Sequence, residues 1–323
     1  CRMGLSINIF HGWHLTATLG SFGSAISASK ILGLDKEKMF NAFGISYSQA
    51  CGHRQASRDG ALTKRMQPAF NAKAGVLSAY LADHGIVGTQ NTLEGKYGYF
   101  NLYERGRYSR ERLIEGLGEK FEIVNLSLKP YPCCRLTHPS IEATLNILGE
   151  HHVEPSDIEE VVIRMPRMPF EIVGRPFELR ANTQVSAQFS VPYTVAAAIM
   201  NRDVELADFD EENVLKEEVI EFAKNRVRIL LDERFQDSRS FTPVRVEIVM
   251  KGGDVYCEEI EVSKGNPQKP MSYGEVGDKF LKCSKYCAKK LPEKNLEKIV
   301  ELLNRLEEVD DVGLIPRLLS PQS

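Results

Sequence analysis

His14 is a candidate for acid or base chemistry. It lies in GWHLT, residues 12–16, directly before a segment rich in alanine, serine and glycine. A neutral imidazole can take or give a proton near pH 7, and the N-terminus of an adjoining helix favours a carboxylate. Most histidines instead cap a helix or pack in a core, so a structural role is the alternative.

A lysine and a glutamine follow in the stretch LTKRMQ. Lys64 comes after a polar loop, and we expect it to precede a helix that carries little other charge. An ammonium there could bind a carboxylate and stabilise the charge that grows on it when an α-proton leaves. An exposed lysine in a solvated loop is the alternative. Gln67 can hydrogen-bond a carboxylate or hydroxyl, but it cannot shuttle a proton at neutral pH.

Three basic side chains lie in KPYPCCRLTH, residues 129–138. The two prolines restrict the backbone, so the side chains project with little entropy left to lose. Arg135 could hold a carboxylate bidentately, Lys129 could act as a cation or acid, and His138 could bind or relay a proton at a helix start. A proline-rich crossover with surface cations explains the pattern equally well.

Tyr193 lies in FSVPY, residues 189–193. Its phenol could donate to a substrate oxygen or serve as an acid, and we expect the neighbouring proline to bend the helix that continues through Ala198. On composition alone, a core aromatic in a buried helix is the stronger interpretation.

The elements that must position these residues are mostly helical. Helical spacing with a cap at Asp35 and a stop at Gly85 predicts three helices, over 15–32, 36–48 and about 69–84. A further helix should begin at Pro139. Strands are predicted over 158–165, 243–250 and 255–262, the last two forming a hairpin with a bulge near Glu258 and Glu259. Helical periodicity returns over 274–306, so the order of elements predicts an all-helical domain interrupted by a smaller α+β domain.

Composition narrows the class of protein. The chain has 323 residues and a net charge of -3, so no long-range field marks it for nucleic acid or an anionic membrane. No stretch approaches the roughly 20 apolar residues of a membrane span, and no signal peptide is evident. Seven scattered cysteines favour a reducing cytoplasm.

Cofactor motifs are also missing from the sequence. Cys133 and Cys134 are adjacent rather than spaced, and Cys283 and Cys287 have no second ligand pair, which argues against a metal site. Neither a Walker phosphate loop nor a dinucleotide-binding fingerprint is present, so we expect no nucleotide cofactor.

Three segments together resemble the MmgE/PrpD family, which includes 2-methylcitrate dehydratase, cis-aconitate decarboxylase and iminodisuccinate epimerase. They are residues 12–95, LKPYPCCRLTHPSIEA from Leu128, and AQFSVPYTVAAAI from Ala187. The resemblance implies a helical domain (1–124), an α+β lid over a cleft (125–268) and returning C-terminal helices (269–323). It also implies a cytoplasmic homodimer that associates through its helical domain.

The resemblance assigns roles to the candidate residues. It implies that His14, Lys64, Lys129 and Tyr193 are catalytic, and that Arg135, His138 and Gln67 bind substrate. The expected enzyme needs no cofactor or metal and removes a proton α to a carboxylate of a small di- or tricarboxylic acid. The family usually has histidine where Gln67 stands and glycine where Ala69 stands, which leaves the substrate open.

Several functions remain compatible with the sequence. A 2-methylcitrate dehydratase-like hydro-lyase is expected first. A decarboxylase of cis-aconitate, an epimerase of iminodisuccinate, a non-catalytic polycarboxylate-binding protein and an inactive fragment are the alternatives. The family also draws an aspartate and a second histidine from a segment before Gly12, and neither matches a residue here. The chain should therefore correspond to the later two-thirds of a family member, with most activity lost unless the sequence is extended.

Overall fold

A computed structural model describes residues 12–235 and 241–320 of the chain. The chain forms two compact units. Unit 1 comprises residues 1–123 and 179–186, and unit 2 comprises residues 124–178 and 187–323. The helices in chain order are α1 (Leu15–Ile31), α2 (Lys36–Tyr47), α3 (Gln55–Arg58), α4 (Thr63–Asp83), α5 (Tyr99–Leu102), α6 (Arg110–Ile114), α7 (His138–Glu150), α8 (Arg167–Val173), α9 (Thr183–Gln188), α10 (Val191–Asn201), α11 (Glu211–Val214), α12 (Glu217–Asn225), α13 (Tyr273–Ser284), α14 (Glu293–Asn304) and α15 (Leu314–Leu319).

Unit 1 is built on three helices, since α1 packs against α2 and α4, and α2 packs against α4. The predicted caps are confirmed. The Asp35 carboxylate accepts from Lys38 N at 2.8 Å, and Gly85 follows α4 with a φ of 88°. The predicted start of α4 is wrong, because the helix begins at Thr63. Lys64 therefore lies in the first turn of a helix rather than in a loop.

Unit 1 also buries aromatic side chains from residues 97–107, a stretch rich in polar residues and glycine. Tyr99 and Phe100 of α5 are fully buried. The ring of Tyr99 stacks on that of Tyr103 with 4.8 Å between centroids, and Phe22 of α1 meets Tyr99 edge-on at 5.6 Å. Such ring pairs stabilise a core beyond the area that they bury.

Unit 2 contains a four-stranded sheet among the described residues. The strands are β1 (Ile158–Met165), β2 (Val227–Leu231), β3 (Val244–Met250) and β4 (Val255–Ile260), in the order β2-β1-β3-β4. β1 pairs with β2 in parallel and with β3 antiparallel, and β3 and β4 form the predicted hairpin. The sheet is therefore mixed, and helices α7 and α10 cover it through contacts with β3, β4 and β2.

The sheet corrects two sequence-based expectations. The predicted bulge at Glu258 and Glu259 is wrong, because β3 and β4 stay in register through both residues. A register shift occurs instead on β1, between Ile158 and Glu160. Strand β2 was not predicted.

Helices α7 and α10 begin where prolines allow. Pro139 lies in the first turn of α7, as predicted. Pro192 lies in the first turn of α10, where its missing N–H costs nothing, so the predicted bend is wrong. The Ser190 hydroxyl caps α10 by accepting from Tyr193 N at 3.2 Å.

The C-terminal helices α13, α14 and α15 group with unit 2 in this division. Helix α13 begins with a capping box between Ser272 and Glu275. The return of this segment to the helical domain stays a prediction. Across the described ranges, none of the helices combines the length and apolar character needed to cross a bilayer.

Candidate active-site residues

His14 is held directly before α1 by both its backbone and its ring. Its backbone N donates to the carbonyl of Gly52 at 3.2 Å, and its ring Nδ1 lies 2.8 Å from Oε1 of Gln67. The Gln67 amide nitrogen donates to the carbonyl of His53 at 2.9 Å. Both ends of the Gln67 amide are thus engaged inside unit 1, so its expected substrate contact stays a prediction.

The loop that receives these bonds passes close to α1 and α4. Gly52 has a φ of 145°, and a Cβ there would lie 2.3 Å from Cβ of Ala17 and 3.2 Å from Oε1 of Gln67. Only glycine fits this position without displacing the residues that hold His14.

The half-buried His14 ring lies in a positively charged environment. Burial lowers its pKa from the ordinary value, and the charges of Lys64, Arg54 and His53 lower it further. Only the hydrogen bond to Gln67 raises the pKa of His14. His14 is therefore neutral at pH 7, which suits a general base, and unit 1 brings it together with Lys64 and Gln67.

In unit 2, the 3-10 turn at residues 135–137 places Arg135 beside His138. Arg135 Nη1 lies 3.1 Å from His138 Nδ1, and Nη1 and Nη2 donate to the hydroxyl and carbonyl of Ser263 at 3.2 and 3.1 Å. A guanidinium can only donate, so His138 Nδ1 accepts and the imidazole proton lies on Nε2. Among the described residues, neither His138 Nε2 nor Arg135 Nε has a hydrogen-bond partner.

His138 is completely buried and neutral. Burial, followed by the charges of Arg135 and Lys129, lowers its pKa to about 3. The Cys133 carbonyl raises the pKa of His138, but this effect is smaller than that of burial and of the two charges. Nε2 has no described acceptor within hydrogen-bond geometry. At neutral pH, His138 can offer an N–H, but it cannot gain a proton easily.

Two lysines complete this group of cations. Lys129 Nζ donates to the Cys133 carbonyl at 3.1 Å, and Lys279 Nζ of α13 donates to the Lys129 carbonyl. Burial lowers the pKa of Lys279, and the charge of Lys129 contributes. We call Lys129, Arg135 and Lys279, which surround the neutral His138, the unit 2 cation cluster.

The unit 2 cation cluster is held by the loop at residues 263–269. Leu128 N donates to the Gly265 carbonyl at 2.8 Å. The largely buried Glu142 of α7 accepts from Lys264 N at 2.8 Å and from Lys269 Nζ at 2.7 Å. The loop that carries Ser263 is thereby tied to α7, and Ser263 in turn positions Arg135.

Tyr193 lies apart from these contacts, in the core of unit 2. It is 1% exposed, its hydroxyl donates to the Asp208 carbonyl, and its ring packs 5.1 Å from that of Phe177. Burial raises its phenol pKa above the ordinary value. These surroundings match the core-aromatic alternative, and its catalytic role stays a prediction.

Metal ligation finds no support in the part of the chain that the structure describes. It contains no group of three or more His, Cys, Asp or Glu side chains placed to hold a metal ion. The charges that could meet an anion in this part of the chain belong to lysine and arginine side chains.

Comparison with known families gives matches over most of the chain. The MmgE/PrpD N-terminal domain matches residues 1–111, and the MmgE/PrpD C-terminal domain matches residues 131–305. The chain belongs to the MmgE/PrpD family. The resemblance inferred from the motifs is thereby confirmed.

Curated MmgE/PrpD relatives are similar to nearly the whole chain. Cis-aconitate decarboxylase of Aspergillus terreus is 28% identical over 312 residues, which cover 93% of this chain and 63% of that protein. The cis-aconitate decarboxylases of Mus musculus and Homo sapiens are 25% and 24% identical over 96% of the chain and 63% of each relative. The chain thus spans about 63% of the length of these relatives.

Reasoning from the sequence missed two basic residues of this MmgE/PrpD chain. Lys279 shares α13 with Lys282, and its sequence context is typical of a solvated face, so only the fold brings it beside Lys129. Arg54 carries no motif that would assign it a role, although its charge acts on His14. The sequence around a basic residue does not identify its partner when that partner lies on another element of the fold.

Proposed function

We propose that this MmgE/PrpD protein is a lyase that builds up negative charge on the carbon next to a carboxylate of a small tricarboxylic acid. The observation that carries the proposal is the pairing of neutral histidines with cations. In unit 1, His14 lies near Lys64 and Arg54, and in unit 2 the neutral His138 lies among Arg135, Lys129 and Lys279. Cations hold carboxylates, and neutral imidazoles exchange protons.

The chemistry demands such a combination. When a proton or carbon dioxide leaves the carbon next to a carboxylate, the electron pair spreads onto the carboxylate oxygens and gives them a second negative charge. Ammonium and guanidinium groups placed on those oxygens stabilise this charge more than they stabilise the ground state. We propose that Lys64 and Arg135 can each meet a substrate carboxylate in this way.

Decarboxylation of cis-aconitate is the first reaction to test, because the similar proteins of Aspergillus terreus and Mus musculus are cis-aconitate decarboxylases. In it the bond to one carboxylate breaks, its electron pair passes into the conjugated remainder, and a proton is added to carbon as carbon dioxide leaves. His14 would take up a solvent proton and deliver it to that carbon, which returns its ring to the neutral form.

Dehydration of a 2-methylcitrate-like acid is the second candidate. It requires that a proton leaves carbon and that the departing hydroxyl gains one. His14, which is neutral and half-buried, suits the first task, and its protonated form can then give the same proton to the hydroxyl. Neither candidate reaction calls for a cofactor in this proposal.

Turnover by the purified protein tests the proposal. We expect proton NMR in deuterated water to show loss of carbon dioxide and a deuterated unsaturated product from cis-aconitate. A new alkene from 2-methylcitrate would indicate dehydration, and inverted, deuterated iminodisuccinate would indicate epimerisation. Binding of these acids by calorimetry without any chemical change would support the non-catalytic binding protein instead.

Variants that each remove one positive charge test whether turnover depends on the proposed cations. We expect Lys64→Met and Arg135→Met to lower kcat/KM by at least about a hundredfold, because each removes a charge from the group that meets the substrate. Lys73→Met, an exposed lysine on the same helix as Lys64, is the control and should retain activity. Equal activity of all three variants would contradict the assignment.

Homodimer formation through unit 1 is also proposed. The exposed face of α4 carries apolar side chains that are 44–50% exposed, namely Met66, Phe70, Leu77 and Tyr80. Their spacing places them on one stripe of the helix, which is typical of an association surface. We expect light scattering to give twice the mass of the 36.3 kDa chain and Phe70→Glu to give the monomer. Leu117→Glu, at an exposed site outside the stripe, should remain dimeric.

A further inference from the structure

We propose that Gln67 is a positioning residue that holds the His14 proton on Nδ1 and thereby makes Nε2 the atom that exchanges protons with substrate. This inference rests on the proposed function and deepens it. It replaces a substrate-binding role for Gln67 with control over the tautomer of the neighbouring base.

The direction of the Gln67 amide follows from its second partner. The His53 carbonyl lies 2.9 Å from the amide nitrogen of Gln67, and a carbonyl can only accept a hydrogen bond. The NH₂ group must therefore face His53, because the flipped amide would place two acceptors against each other. The amide oxygen is left to face His14, from which it lies 2.8 Å.

An amide oxygen can only accept, so the ring nitrogen that faces it must carry a proton. In the neutral imidazole that nitrogen is Nδ1, and the lone pair lies on Nε2. Within the described residues, the ring of His14 makes no other hydrogen bond. Nε2 is therefore the atom left for a reacting carbon or hydroxyl.

The frame around Gln67 is rigid. Gln67 is 7% exposed, and Asn71, one helical turn later, is 1% exposed. Asn71 Nδ2 donates to the Cys51 carbonyl at 3.1 Å and to the Gln67 carbonyl at 2.8 Å. Two amides on one face of α4 thus fasten the loop at residues 51–53, which carries the His53 carbonyl that orients Gln67.

The same face of α4 carries a cation, Lys64, one helical turn before Gln67. Lys64 lies three residues before Gln67 and is half-buried, and its charge acts on His14. Residues three apart on a helix are neighbours, so a carboxylate held by Lys64 would lie close to the His14 ring. One helix turn therefore supplies both a substrate contact and the acceptor that fixes the base.

The tautomer can be observed directly in the protein labelled with 15N-histidine. We expect the His14 signals at neutral pH to show a protonated Nδ1 and an unprotonated Nε2, with assignment from their loss in His14→Asn. In Gln67→Leu, which removes the acceptor at similar size, we expect the proton to move in part to Nε2. A wild-type spectrum with the proton on Nε2 would overturn the inference.

Kinetics separate positioning from substrate binding. We expect Gln67→Leu to lower kcat at least about tenfold with KM changed less than about twofold, because the base loses its proper tautomer. Gln67→Glu retains an acceptor for Nδ1–H and adds a negative charge, so it should raise the His14 pKa and move the acid limb of kcat/KM to higher pH. A rise in KM alone in Gln67→Leu would indicate substrate binding and refute positioning.

A matched control guards against general damage to unit 1. Gln49 is half-buried and donates from Nε2 to the Ser78 hydroxyl of α4 at 3.1 Å, without contact to His14. Gln49→Leu should leave the His14 tautomer and the pH profile unchanged. If the wild type is inactive on every acid tested, the proposed function fails, yet the NMR spectrum still decides the tautomer. An active enzyme with the other tautomer refutes only the role of Gln67.

Discussion

Replacing Glu142 should lower the free energy of unfolding and also loosen the hydrogen bonds that position Arg135. Glu142 is 6% exposed on α7 and accepts from Lys264 N and Lys269 Nζ. Both donors belong to the loop that also carries Ser263, which holds the Arg135 guanidinium through two hydrogen bonds. Glu142→Ala would release the loop from α7 and loosen its Ser263 contacts with Arg135, which would then keep only the contact with His138.

The expected loss of stability follows from the two bonds. The bond from Lys264 N to a buried carboxylate contributes about 2 kcal/mol, as bonds to charged groups do. Lys269 is about half exposed, so solvent reduces its contribution to about 1 kcal/mol. We therefore expect Glu142→Ala to lower the free energy of unfolding by about 3 kcal/mol. Glu142→Gln keeps an acceptor for Lys264 N and should lose only about 1 kcal/mol.

Urea denaturation measures the free energies, and steady-state kinetics with cis-aconitate measures the effect on Arg135. We expect KM to rise about tenfold in Glu142→Ala, because a mobile guanidinium loses its bidentate geometry. Glu150→Ala, at an exposed position at the end of the same helix, is the control and should change neither quantity. An unfolding free energy within about 0.5 kcal/mol of the wild type in Glu142→Ala would refute the reasoning.

Three further predictions follow from individual residues. Tyr193→Phe should lower the free energy of unfolding by about 1 kcal/mol and leave kcat unchanged, because the Tyr193 hydroxyl donates to the Asp208 carbonyl in the core. A hundredfold loss of kcat at unchanged stability would favour the catalytic role instead. Lys279→Met should raise KM about tenfold in the same kinetic assay, whereas the exposed Lys285→Met should not; equal KM values would remove Lys279 from the substrate contacts. His138 has a folded pKa of about 3 and an ordinary value of 6.5, so the unfolded state takes up its proton first and stability should fall as pH drops from about 6.5 towards 3. Denaturation at several pH values should show that part of the pH dependence disappear in His138→Gln, and its persistence would contradict the buried neutral state.

Local signals in the sequence were sufficient for most elements of the fold. The cap at Asp35, the stop at Gly85, the proline at the start of α7 and the hairpin of β3 and β4 depend on residues next to each other, and the structure shows all four. Strand β2 escaped prediction because it pairs in parallel with β1, far away in sequence. Parallel pairing leaves no turn signal between the two strands.

The candidate site was predictable only as a set of residue types. Motifs identified His14 and Arg135, but the partner of each lies 53 or 128 residues away, at Gln67 and Ser263. The role of Gln67 depends on the direction of its amide, which a carbonyl from another loop decides. Such contacts arise from tertiary packing, which spacing along the chain does not encode.

Carbon dioxide release and deuterium uptake from cis-aconitate test the central claim most directly. We expect the protein in deuterated water to convert cis-aconitate to an unsaturated dicarboxylate with one solvent deuterium on carbon, and Lys64→Met and Arg135→Met to abolish this signal while Lys73→Met retains it. A product formed at wild-type rates by both charge-removing variants would contradict the claim that Lys64 and Arg135 stabilise the developing charge.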